Sequence, residues 1–192
     1  MKKNGIHILA MGFWSTLACV LPVSGQTVPK VNPTAVLETS MGTIKVELFA
    51  GKAPITIKNF IDYANSGFYD GTIVHRVDFV IGLGGYMENL QGRQPTKPPI
   101  KNESKNGLKN LRGTLAMARY DKPDSATSQF FVNLKNNSHL DASGGEFGYA
   151  VFGKVIEGME VVDKIANVKT GNVGSFSNTP LQTILIKSVK MR

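Results

Sequence analysis

Beyond residue 34 the apolar residues fall in short alternating runs separated by Gly, Pro, Asn and Ser, and only two stretches carry a helical repeat. A period of two sends successive side chains to opposite faces of a strand, so a chain written this way folds as mainly β. Val36–Thr39 and Thr43–Phe49 flank Ser40-Met41-Gly42 as a hairpin does. Further runs occupy Thr72–Val77, Phe79–Ile81, Thr114–Met117, Phe130–Asn133, Val151–Val155 and Ile184–Val189. The first helix opens at Ala53-Pro54, carries Ile57, Phe60, Ile61 and Ala64 as one stripe, and stops at Asn65-Ser66-Gly67. A second, shorter one fits Gly158 to Ala166, with Met159, Val161, Val162 and Ile165 for packing. Stretches 88–110, 119–127 and 134–148 are too long for hairpin turns and read as ordered functional loops on a scaffold. One mainly β domain over residues 34–192 follows, with about eight strands and two helices, the first helix plugging one end. Closure into a barrel would remove the exposed edges.

The first 25 residues are of another kind. Lys2-Lys3 precede an apolar run from Ile6 to Val23 with no Lys, Arg, Asp or Glu, ending in Val23-Ser24-Gly25. This is the plan of a cleaved signal peptide, which places the mature protein in the periplasm or outside the cell, free of the membrane. A retained membrane anchor and a lipid-modified Cys19 are the alternatives. Residues 26–33 then form a loose arm. Cleavage would remove Cys19, the only cysteine, together with Trp14 and His7, leaving a thiol-free chain suited to an oxidising compartment. It would leave 20 basic against 14 acidic residues, net +6, with the lysines scattered. Such a surface serves solubility, and nucleic acid is not an expected partner.

An apolar content of 42% excludes a disordered chain, and the usual catalytic machinery is missing from the sequence. One cysteine and three scattered histidines build neither a disulfide framework nor a metal centre, and no cofactor is expected. Gly82-Leu83-Gly84-Gly85 begins like a dinucleotide loop, but Met87 stands where a third Gly belongs and no helix follows. It reads instead as backbone relief at a bend. Asp62, Asp70, Asp78 and Asp124 lie in no acid–base motif and read as turn or surface residues. Arg76, inside a strand run beside His75, is in isolation more often an ion-pair partner than a catalyst. Met117, Phe130, Phe131 and Phe152 in isolation read as core.

Taken in order, Asn59-Phe60, Gly67-Phe68-Tyr69, His75-Arg76-Val77, Ser128-Gln129-Phe130-Phe131 and Val151-Phe152-Gly153-Lys154-Val155 resemble the cyclophilin peptidyl-prolyl cis-trans isomerases. The resemblance runs from about Ala35 to Met191 and leans toward the exported bacterial members. It implies a closed eight-stranded antiparallel barrel capped by two helices, with a substrate groove on its outer face. The implied activity is X–Pro isomerisation in unfolded or partly folded exported proteins, by a monomer. By resemblance Arg76 is the catalytic donor. Phe79, Met117 and Phe131 match the proline pocket, Gln129 the groove, and Ala118 and Arg119 the stretch that pairs with substrate backbone. Leu140 and Tyr149 match the far wall, and His75 supports the arginine without acting as acid or base.

Three departures set further expectations. Only Asp78 separates Val77 from Phe79, two residues fewer than the family pattern, and Gly82 stands where the family has a glutamine that bonds the arginine. Both favour an alternative function, a proline-peptide-binding chaperone module with reduced catalysis, and imply that Gly82→Gln raises activity. His139 stands where many members carry a tryptophan that binds cyclosporin, which implies weak binding of that cyclic peptide.

Overall fold

The computed structural model describes residues 32–192, so the signal segment, Cys19 and most of the arm lie outside the described residues. Within the chain described, the hairpin expected at the start forms as β1 (Thr34–Thr39) and β2 (Gly42–Leu48). The last arm residues are tied to it: Asn32 Nδ2 donates to Glu47 at 2.9 Å and Leu48 N–H to the Pro33 carbonyl at 2.9 Å. Helix α1 (Pro54–Asn65) follows, then β3 (Arg76–Val77), β4 (Val80–Leu83), β5 (Thr114–Met117) and β6 (Phe130–Asn133). A 3-10 turn at Ser138–Leu140 leads to β7 (Val151–Glu157) and helix α2 (Met159–Ala166). Strands β8 (Thr170–Val173) and β9 (Phe176–Pro180) make a separate hairpin with no counterpart in the sequence reading, and β10 (Ile186–Met191) ends the fold.

Eight strands make one sheet in the order β10-β1-β2-β7-β5-β6-β4-β3, every neighbouring pair antiparallel. The sheet curls but does not close, which corrects the expected closed barrel. No ladder joins β3 to β10; the two ends meet only through an isolated bridge, Ile73 to Leu185, and bonds such as Ile186 N–H to the Thr72 carbonyl at 2.7 Å. The physical reason is the shortness of β3. Of the run Thr72–Val77, only Arg76 and Val77 enter the ladder. Its remaining edge is covered by the β8–β9 hairpin, where the Thr179 hydroxyl donates to the His75 carbonyl at 3.0 Å.

The core lies inside the curl. Strand residues Leu37, Val46, Leu48, Leu115, Phe130, Phe152 and Ile186 meet Ile57, Phe60, Tyr63 and Ala64 of α1 and Val161, Val162 and Ile165 of α2. Phe60 of α1 is packed edge-on against Phe130, ring centroids 5.4 Å apart, so helix and sheet share one aromatic centre. The α1 N-terminus has no cap of its own. Glu103, from the long loop, accepts the Ile55 and Thr56 N–H groups at 3.1 and 2.8 Å, satisfying donors that the helix leaves unpaired.

Candidate active site

Strand register builds a line of residues across the outer face of the sheet. Arg76 on β3 opposes Gly82 on β4, and Gly82 opposes Phe131 on β6. Phe131 in turn opposes Ala116 on β5, which opposes Val151 on β7. Directly opposed residues share a face, so all five lie on the side away from the core. Val80, two residues before Gly82, joins them. Val80, Ala116, Phe131 and Val151 form a second, smaller apolar cluster, with Phe79, Ala118, Leu140 and Tyr149 packed against it. Gly82 adds no side chain to this face; where a Cβ would stand, His75 Nε2 and Arg76 Cβ already lie 3.1 and 3.3 Å away.

The same face carries a hollow of about 150 Å³ lined by Arg76, Phe79, Val80, Ala118, Arg119, Phe131, Leu140 and Tyr149. Phe131 meets Tyr149 edge-on, centroids 5.7 Å apart, and Tyr149 N–H donates to the Leu140 carbonyl at 2.8 Å, which holds the far wall together. The sequence singles out every one of these residues except Val80, whose even spacing from Gly82 puts it on the same face. Met117 is a correction: it is 2% exposed and belongs to the main core, because Ala116 faces the groove and its neighbour must face inward. His139 is exposed and does not line the hollow; its ring rests edge-on against Phe79, centroids 5.4 Å apart.

Two arginines border the hollow, and their donors are used differently. The Arg119 guanidinium donates to the Gly148 carbonyl at 3.1 Å, Phe147 at 2.9 Å, Tyr120 at 2.9 Å and Asp121 at 3.1 Å, and lies over the Tyr149 ring at 4.8 Å. Most of its N–H groups are thereby committed, so Arg119 acts as a clamp between two loops. Arg76 gives only two, Nε–H and Nη2–H, both to Asp78 Oδ2 at 2.9 and 2.6 Å, and sits over the Phe79 ring at 5.4 Å. Its side chain is 46% exposed, which leaves the other N–H donors within reach of a bound molecule. The ion pair with Asp78 is at the surface, not buried. Asp78 is a turn residue, as the sequence implies, and also the partner of Arg76.

The supports are on the other flank. Gln129, Tyr86, His75 and Arg76 line a second hollow of about 390 Å³, roofed by Ser175–Asn178 of the β8–β9 hairpin. Gly85 gives Gln129 its room: a Cβ there would stand 2.2 Å from Gln129 Cγ. The backbone leading to Gln129 is fixed from the core side, where Asn59 Nδ2 donates to the Thr127 carbonyl at 2.7 Å and the Tyr69 hydroxyl to Ser128 at 3.2 Å. His75 packs edge-on against Tyr86, centroids 4.8 Å apart. Burial, with the neighbouring Arg76 charge, lowers its pKa to about 4, so the ring is neutral at pH 7. Its Nδ1 has no hydrogen-bond partner among the described residues. An imidazole held neutral and turned into the protein is a wedge behind the arginine. Among the described residues no three His, Cys, Asp or Glu side chains converge as metal ligands would.

Comparisons with known proteins agree with this geometry. The family model "Cyclophilin type peptidyl-prolyl cis-trans isomerase/CLD" matches residues 34–191. Peptidyl-prolyl cis-trans isomerase A of Dickeya dadantii is 54% identical over 157 residues, covering 81% of this chain and 82% of that protein. Peptidyl-prolyl cis-trans isomerase B of Escherichia coli is 49% identical over 156 residues, 79% and 94% of the two chains. A crystal structure of a Cryptosporidium parvum cyclophilin type isomerase superposes with a TM-score of 0.70 at 29% identity, covering 84% of this chain and 98% of the other. A second structure of that protein, in the presence of the dipeptide Ala-Pro, gives 0.69 at 29% identity, with 83% and 98% covered.

Proposed function

The chain belongs to the cyclophilin family and is a peptidyl-prolyl cis-trans isomerase, and from that premise we propose that Arg76 is the group that lowers the rotational barrier. One observation carries the reading: a half-exposed guanidinium with donors to spare stands at the rim of an apolar hollow the size of a proline ring. An apolar cavity of about 150 Å³ accepts a benzene ring, so a pyrrolidine ring fits.

The chemistry needs no bond to be made or broken. Amide resonance sets a rotation barrier of about 18–20 kcal/mol, and half-way through the turn the imide nitrogen has regained its lone pair. A planar imide offers that nitrogen little basicity; the twisted one is an acceptor. A charged N–H donor therefore binds the twisted form more tightly than either flat end state, and only such differential binding accelerates the step. Phe79, Val80, Phe131, Leu140 and Tyr149 hold the ring while the preceding carbonyl swings. Gln129 offers its amide to substrate backbone at the edge, and Ala118 and Arg119 border the strand of substrate leading in. His139 stands outside the hollow, touching it through Phe79. Each tenfold in rate takes about 1.4 kcal/mol, within reach of one charge-assisted bond in a partly dry site.

The substrates on this reading are proline-containing segments of unfolded or partly folded exported proteins, for which slow proline steps limit folding. Export is supported by Lys2-Lys3 and the uncharged run Ile6–Val23, and intact mass of the protein recovered from the cell envelope checks it. The mechanism is tested by cis-to-trans relaxation of a short X–Pro peptide. Wild type accelerates it and Arg76→Ala loses most of the gain. Peptide binding without acceleration by the wild type would replace this mechanism with a binding module of reduced catalysis.

A further inference from the structure

We propose that Asp78 is the positioning residue for Arg76, a carboxylate set in the two-residue turn between β3 and β4 that aims the guanidinium at the proline hollow. The inference rests on the reading of Arg76 given above.

Arginine carries its charge on a long, freely rotating stem, and a misplacement of an ångström removes most of the benefit of an oriented donor. Little else restrains Arg76. The residue opposite it in the ladder is Gly82, which has no side chain to offer, and Phe79 supplies only its ring face. Asp78 supplies direction. One oxygen, Oδ2, takes both Nε–H and Nη2–H, which fixes the guanidinium plane as well as its distance. The other oxygen, Oδ1, accepts Val80 N–H at 3.1 Å, and Asp78 N–H donates to the Val80 carbonyl at 3.0 Å. The carboxylate is thus pinned to the strand that lines the hollow, and at 18% exposure it is better anchored than the arginine it holds. The grip leaves Nη1–H₂ and the second Nη2–H for substrate. The short turn, which by sequence pattern looks like damage to the site, brings the carboxylate within reach.

The test is a double-mutant cycle on relaxation of a short X–Pro peptide, with kcat and KM measured for wild type, Asp78→Asn, Arg76→Ala and the double variant. Asparagine keeps the shape and an acceptor for Val80 N–H but loses the charge that grips the guanidinium. The expected result is a kcat lower by about tenfold to hundredfold in Asp78→Asn, with KM within about twofold and no further loss when it is added to Arg76→Ala. An undiminished kcat in Asp78→Asn, beside a slow Arg76→Ala, overturns this inference and leaves the arginine mechanism standing. Equal losses in both Arg76 backgrounds make Asp78 a fold residue and also overturn it. A full-speed Arg76→Ala removes both readings together. A folding-independent arm uses the wild type alone: the Arg76 Nε–H cross-peak in a ¹H–¹⁵N spectrum is expected to exchange slowly without substrate. Exchange as fast as in free arginine overturns the proposal even if Asp78→Asn does not fold.

Discussion

The two faces of strands β4, β5 and β6 both carry apolar residues, yet one face is core and the other is site. Inward go Ile81, Leu83, Leu115, Met117, Phe130 and Val132, joined to both helices. Outward go Val80, Ala116 and Phe131, a small cluster interrupted by Gly82 and ended by an exposed arginine. The inner face is filled and the outer one has a gap. Adjacent phenylalanines 130 and 131 therefore serve different purposes, and the difference is set by parity alone.

The largest effects come from crossing the two faces with two readouts. Arg76→Ala is expected to lower kcat/KM by about 100- to 1000-fold, the scale of losing one oriented donor. Its folding stability should move by no more than about 1 kcal/mol, as an exposed ion pair allows. Phe130→Ala should do the reverse: about 3–5 kcal/mol of stability lost in denaturant, with kcat of the folded fraction kept. If Arg76→Ala were unfolded or Phe130→Ala inactive while folded, the division between faces would break.

Phe131→Ala sharpens the contrast, since it removes the floor of the hollow. Its KM for an X–Pro peptide should rise about tenfold, the scale set by the apolar area that a phenyl ring covers on a bound proline. Its stability loss should be smaller than that of Phe130→Ala, because the Phe131 ring already faces a gap. Equal losses of stability in the two variants would show that the outer cluster is core after all.

Acid separates the faces a third way, through His75, which lies between core and groove. Its folded pKa, about 4, lies below the 6.5 of an exposed histidine, so the unfolded chain takes up the proton first. This contribution to stability is whole above pH 6.5 and is lost as the pH falls toward 4, by at most about 3 kcal/mol. Denaturant midpoints from pH 7 to pH 4 should show this slope, and His75→Phe should flatten it. An equal slope in both proteins would place the acid sensitivity in other groups.

Much of the fold and site is legible in the sequence. Alternation marks β5 and β6 residue for residue, Pro54 and Gly67 bracket α1, and the ordered motifs place Arg76, Phe79, Phe131, Leu140 and Tyr149 around one hollow. What escapes has physical reasons. A run of alternating residues such as Thr72–Val77 cannot say how many of them find a partner strand, and that decides whether the sheet closes. The β8–β9 hairpin is built from Thr, Gly, Asn and Ser with few apolar residues, so no periodicity announces it. Motif order puts Met117 in the pocket because its neighbours are there; only the register shows that a single step along a strand reverses the face. Asp78 looks like any turn aspartate until the turn's geometry folds it back onto Arg76.

The sharpest of the smaller tests concerns Gly82. The sequence pattern implies that Gly82→Gln supplies a missing partner for Arg76 and raises the rate. The geometry argues the opposite. A Cβ at residue 82 would stand 3.1 Å from His75 Nε2 and 3.3 Å from Arg76 Cβ, so the first atom of the new side chain pushes on the wedge and on the stem it was meant to steady. Neither neighbour yields freely, since His75 is packed against Tyr86 and Arg76 is gripped by Asp78. Overpacking of this kind costs about 1–3 kcal/mol. Gly82→Gln is therefore expected to lower both stability and kcat, Gly82→Ala to do so to a lesser degree, and a faster Gly82→Gln enzyme would show that the outer face has more room than its register implies.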